Sequence, residues 1–160
     1  MEAAVQSPEQ LAERYLAAVE SFIDAMRAVP PELLDWRERQ DTWSARDVAF
    51  HVADIDQMLG LRLRRILGED YPELAGVNTQ SGVALFRRAH LDYGLALDAL
   101  QSNGALSTAL IESLTPETMA RKGRHSGGHD VTAAGLAAFM AMHIEAHVRQ
   151  IKRIVVAAGG

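Results

Sequence analysis

The 160-residue chain contains no cysteine. That absence excludes disulfides, cysteine-based zinc sites and cysteine nucleophiles together. Any metal must therefore be held by His, Asp and Glu. Basic residues are in deficit: 16 Lys and Arg stand against 21 Asp and Glu, a formal net charge of −5. Nucleic-acid-binding surfaces are usually basic, and no basic, aromatic-studded face is visible, so nucleic acid is not an expected partner. No apolar run reaches the roughly 18–20 residues of a membrane span. The opening MEAAVQSPEQLAERY carries early acidic residues and no apolar core of a signal peptide. The expectation is a soluble cytoplasmic protein with no membrane partner. The phosphate-cradling patterns GxGxxG and GxxxxGKS/T are missing, as is the GxSxG of a hydrolase elbow. There is no internal repeat, no low-complexity tract and no convincing strand.

What remains is helical. Apolar residues make up 48% of the chain and charged residues 23%, ordinary values for a globular protein. Its length favours one domain spanning 1–160. Ser7, Pro8 and Gln10 form an N-cap, first-turn proline and capping-box partner. The stripe Leu11, Tyr15, Val19, Phe22 and Met26 follows at helical spacing, and Pro30-Pro31 ends it. A second helix opens at Ser44 with Asp47 three residues on. It keeps Val48, Val52, Ile55, Leu59, Leu63 and Ile66 on one side and closes at Gly68. A third is expected from about 82 to 114, with Leu85, Leu91, Leu95, Leu97, Leu100, Leu106, Leu110 and Leu114 as its apolar positions. A kink is expected in it near Asn103-Gly104. A polar, glycine-rich stretch, TPETMARKGRHSGGHD, leads to a fourth helix that begins around 130 to 132 and runs to about 156. Four such helices with mostly short links predict an all-α four-helix bundle, its topology left open by patterning alone.

The chemistry-bearing residues are histidines. Residues four apart on a helix are offset by only ~40°, so His143 and His147 project from one face. Both lie in the apolar stripe of Leu136, Phe139 or Met140, Ile144, Ile151 and Ile154. His51 sits at the inner edge of the second helix's stripe. Three imidazoles thus point inward from two helices. A lone histidine on an apolar stripe is more often a hydrogen-bonded core residue than a ligand. An i,i+4 pair narrows that preference, because burying two neutral imidazoles needs two sets of partners. Adding His51 tips the balance toward a metal. Three imidazoles suit Zn²⁺ or Ni²⁺, with Fe²⁺ or Mn²⁺ as further options, and leave positions open for water or substrate. The sequence has no HExxH: Glu145 lies ~200° from His143 and should face solvent. Asp47, one turn before His51, and Asp54, near one turn after it, could take an imidazole N–H; their alternatives are a helix cap and a solvated carboxylate. Gln150 could orient His147 or be an ordinary polar helix residue. His125 and His129 are expected in a mobile loop carrying Gly123, Gly127 and Gly128, more as a lid than as a second ligand set. No catalytic residue can be named.

WSARDVAFHVAD from Trp43 to Asp54, GHDVT, and HIEAHVRQI from His143 to Ile151 together resemble the DinB-like (YfiT-like) superfamily. This is the damage-inducible bundle group, not the DNA polymerase that shares the name. The resemblance covers roughly residues 8–156. It implies an up-down-down-up bundle, often a homodimer, with a metal on His51, His143 and His147. It also implies use of a low-molecular-weight thiol, since characterised relatives include thiol-dependent S-transferases and isomerases. The expected function is a metal-dependent thiol S-transferase acting on small electrophilic molecules. The alternatives are a metal-dependent hydrolase, or a non-enzymatic, stress-related binding or dimerisation bundle whose histidines are structural.

Overall fold

The structure, a computed structural model, describes residues 6–159. Helix α1 (Pro8–Arg27) opens with the expected reciprocal cap. Ser7 N donates to Gln10 Oε1 at 2.9 Å, and Gln10 N donates to Ser7 Oγ at 3.2 Å. After a single 3₁₀ turn at Pro31–Leu33, helix α2 (Ala45–Gly68) starts on the same device, built from Ser44 and Asp47. Helix α3 (Thr79–Ala89), helix α4 (Gly94–Glu112), the short helix α5 (Pro116–Met119) and helix α6 (Ala133–Ala157) complete the helices. No described helix is long and apolar enough to cross a membrane.

Four of these form the bundle. α1 packs on α6 and α4, and α2 packs on the same two. α2 and α4 run in the same direction: Asp56 meets Asn103, and one turn on, Gly60 faces Ser107. α6 runs against α2, since His51 meets His143 and His147 while Leu59, farther along α2, shares a cavity with Phe139. α1 lies along α6, tied by Arg14 to both carboxylate oxygens of Glu145 at 2.8 and 2.9 Å. The order is up-down-down-up. Tyr15, Phe22, Leu59, Leu63, Leu100, Met140 and Ile144 fill the interior, each almost wholly buried.

Two expectations fail. The third predicted helix is two helices, and the break falls at His90–Tyr93 rather than at Asn103-Gly104. His90 closes α3 in the left-handed region (φ 50°), and the Asp92 side chain accepts from Gly94 N at 3.2 Å to start the next turn. Gly104 sits buried inside α4 because α1 crosses there: a Cβ would lie 3.1 Å from Val19 Cγ1. The glycine serves close helix approach and does not break the helix. Of the leucines assigned to that segment's apolar side, Leu85, Leu91, Leu95 and Leu106 are exposed. Leu at position 104 should therefore overpack the α1–α4 contact and lower stability by ~1–3 kcal/mol, despite its better helix propensity. Urea unfolding checks this; an unchanged or raised midpoint would contradict the close contact.

The second failure is the sheet. β1 (Glu73–Leu74), β2 (Lys122–His125) and β3 (Asp130–Thr132) form a small sheet in that order, with β1–β2 parallel and β2–β3 antiparallel. The glycine-rich stretch is thus a hairpin rather than an irregular loop. Gly128 takes φ 86° at its turn. Gly123 is buried, where a side chain would strike Leu74 and the Pro72 carbonyl at 3.0 Å. Strands this short carry too few alternating positions to be read from pattern.

Candidate metal centre

α2 and α6 bring His51, His143 and His147 together. The Nε2 atoms of His51 and His143 are 3.2 Å apart, and those of His147 and His143 are 3.1 Å apart. One ring nitrogen from each of the three lies within 4.8 Å of the other two. Among the described residues no carboxylate joins the group. Glu145 points the other way, to Arg14, as its helical offset requires. The face of His51 is covered by Trp43, with ring centroids 4.6 Å apart.

Burial sets the protonation. It pushes the His51 imidazole down to about 4 and the His143 imidazole down to about 3, with the neighbouring histidines adding to the effect. His147 is lowered by the same burial, opposed by its hydrogen bond to Gln150. All three rings are neutral near pH 7, the form that ligates metals. Gln150 Oε1 lies 2.7 Å from His147 Nδ1. An amide oxygen only accepts, so Nδ1 carries the proton and the His147 Nε2 lone pair faces the other rings. His143 Nδ1 is buried without a partner.

The donor set fits a first-row divalent cation. Two imidazole nitrogens each ~2.0–2.1 Å from one ion, at a tetrahedral angle, lie ~3.3 Å apart, close to the separations observed. Without an ion, three converging nitrogens have at most one N–H to share between each pair. A three-ligand set also leaves coordination positions open, the arrangement of catalytic rather than structural sites. One cavity of about 320 Å³ opens beside His51 and His143, walled by Ile55, Met58 and Phe139, with Arg62 and His125 among its other lining residues.

The expected supporting residues divide. Gln150 touches His147. Asp47 does not serve His51: its carboxylate accepts from Ser44 N, from Arg37 at 3.1 Å and from Arg87 at 2.7 Å. Cap and arginines hold it below its ordinary value against the cost of burial. Asp54 is exposed and makes no hydrogen bond to His51; its carboxylate lies over Gly82, where a Cβ would sit 3.0 Å from Oδ2. His129 is exposed and stacks on His125 at 4.8 Å. The sequence reads Arg62, within RLRR, first as part of a solvated helix face and second as an arginine reaching a substrate carboxylate, and His125 as part of a lid over the metal; both line the triad's cavity. Arg62 had a signal, because eleven residues after His51 is ~20° from it around α2. What the pattern did not show for His125 is the strand pairing that fixes it beside Leu74.

The sequence profile of the DinB superfamily matches residues 6–151. No curated protein matches the chain. Among solved structures, YfiT from Bacillus subtilis, described as "a probable metal-dependent hydrolase with an unusual four-helix bundle topology", superposes with a TM-score of 0.88 at 21% identity, over 99% of this chain and 93% of that one. A mycothiol-dependent maleylpyruvate isomerase superposes with a TM-score of 0.73 at 11% identity, over 91% of this chain; only 61% of that protein is covered. The colibactin self-resistance protein ClbS, solved with a dsDNA, superposes with a TM-score of 0.66 at 14% identity, over 95% of this chain and 97% of that one. At these identities the likeness is one of fold.

Proposed function

Because the chain belongs to the DinB superfamily, we propose that it is a metal-dependent enzyme acting on small electrophilic molecules, with His51, His143 and His147 as ligands to one divalent cation. The observation that carries this is the convergence of three neutral imidazole nitrogens from two helices at 3.1 and 3.2 Å. Zn²⁺ or Ni²⁺ suits the ligand set best, with Fe²⁺ and Mn²⁺ as alternatives. Such a cation, when bound, lowers the pKa of a thiol or water in its open position and so supplies a nucleophile at neutral pH.

The chain's own residues do the rest. Gln150 fixes the tautomer and orientation of His147. Trp43 covers one face of His51. Ile55, Met58 and Phe139 give the substrate an apolar wall beside the triad. Among the described residues no carboxylate joins the triad to act as a general base.

Thiol S-transfer is the favoured reaction, using a low-molecular-weight thiol as the nucleophile. Hydrolysis is the second reading, favoured by the description of the YfiT structure. A panel separates them: zinc-loaded protein with a chromogenic electrophile, with and without bacillithiol, mycothiol or glutathione. Turnover that requires a thiol and yields a thioether supports transfer; thiol-independent turnover supports hydrolysis. Turnover by neither route, with metal bound, would overturn the enzymatic proposal. A small molecule rather than DNA is the proposed partner despite the ClbS complex, given the net charge of −5. The proposal extends to a cytoplasmic homodimer, which light scattering would register at twice the 17.5 kDa chain mass.

A further inference from the structure

The geometry points to a small monocarboxylate with an apolar body as the ligand class of the cavity beside the triad, its anionic end held by Arg62 and His125. This rests on the proposed function only in that both use the same cavity. A space of about 320 Å³ with apolar walls and a few polar groups is the usual make-up of a small-molecule site. Among the described residues, Arg62 is its only formally charged lining residue, and no Asp or Glu faces it. Arg62 forms no ion pair among the described residues, and its one hydrogen bond goes to the Ala75 carbonyl. Of the other arginines of α2, Arg46 and Arg65 are bonded to Asp35 and Glu69, and Arg64, which forms no ion pair among the described residues, lines a separate surface pocket away from the triad. A half-buried guanidinium with most of its five N–H donors unspent is an anion site awaiting its anion.

His125 adds a second donor. Its Nδ1 accepts the backbone N–H of Gly127 at 3.0 Å. In the neutral ring the proton is therefore on Nε2, which can donate. The β1–β2 pairing fixes this residue, since Leu74 and His125 are register partners, and Ala75 and Gly76 follow at once. One fixed positive charge and one neutral donor match a monoanion better than a phosphate dianion. The placement gives the ligand a direction. Arg62 lies ~16 Å beyond His51 along α2 on the same face, and helical side chains lean back toward the N-terminus, here toward the triad. A carboxylate at Arg62 would leave the far end of the molecule near His51 and His143.

The test titrates 3-phenylpropionate and its neutral amide, 3-phenylpropionamide, into metal-free and zinc-loaded protein by calorimetry. The carboxylate should bind the metal-free protein about tenfold or more tightly than the amide, as a charge-assisted pair implies. Arg62→Gln should remove that preference, Arg62→Lys should keep part of it, and His125→Ala should weaken it by a smaller factor. The inference is overturned if the two probes bind alike, if neither binds, or if the preference survives Arg62→Gln. It is equally overturned if the preference appears only with zinc, which would place the carboxylate on the metal, or if Arg62→Lys is as indifferent as Arg62→Gln. Because the decisive titration is metal-free, a triad that takes no zinc would defeat the proposed function and leave this result standing on its own.

Discussion

Replacing His51 with alanine is expected to take the zinc retained after loading and dialysis from about one ion per chain to background. Three nitrogens from two helices define the proposed site. Removing the α2 ligand leaves an i,i+4 pair on one helix that must complete its coordination with water. Any metal-dependent turnover should be lost with the ion. Gln150→Ala should give a graded result: the ligands stay, but His147 loses the acceptor at its Nδ1. Outer partners of this kind are typically worth 10–100-fold in metal affinity. His129→Ala, which alters an exposed ring outside the group, should change nothing. Elemental analysis of the four proteins decides the matter. The non-enzymatic alternative expects background metal in the unaltered protein and no thermal shift with Zn²⁺ or Ni²⁺. Retention of a full equivalent by the His51 variant would refute the three-histidine site itself.

The second large effect lies in the bundle interior. Asp56 is 1% exposed and accepts from Tyr15 Oη at 2.9 and 3.1 Å and from Asn103 Nδ2. Asp56→Ala would leave the Tyr15 hydroxyl buried and unpaired, at ~1–3 kcal/mol, take the partner from the half-buried Asn103 amide, and open a small cavity. A loss of about 3 kcal/mol is expected. Its pH dependence has a definite sign. Burial raises the Asp56 carboxyl above its ordinary 3.8, and the bonds from Asn103 and Tyr15 only partly offset this. A group raised in the fold contributes fully below its unfolded pKa and loses that contribution as pH rises through the folded one. The alanine penalty should therefore be greatest at acid pH and shrink above 4. Asp56→Asn, which cannot ionise, should gain on the unaltered protein over the same range. Urea unfolding across a pH series measures both. A penalty that grows with pH would mean that Asp56 is better accommodated as the carboxylate.

Much of the bundle could be read in advance because its signals are local. Ser7 with Gln10 and Ser44 with Asp47 are capping boxes four residues long, and both helices start where those pairs place them. The triad was legible for the same reason: helical spacing puts His143 and His147 on one face, and His51 stands inside another apolar stripe. What was illegible depends on distant neighbours. Gly104 looks like a helix breaker until Val19 of α1 is seen against it. Asp47 looks like a partner for His51 one turn away, but Arg37 and Arg87 arrive from separate segments and take its oxygens. His125 looks like a loop residue, and only the pairing of β2 with β1 carries it to the cavity. Periodicity reports which face an element buries; it does not report what is waiting there.

The central claim is that three imidazoles from α2 and α6 form one metal centre. Its most direct test is a crystal of zinc-loaded protein measured on both sides of the zinc absorption edge. One anomalous peak bonded to Nε2 of His51, His143 and His147, with an open position toward the Arg62 cavity, is the predicted result. Zinc bound instead at His125 and His129, or a histidine triad with no peak in fully loaded protein, would contradict it.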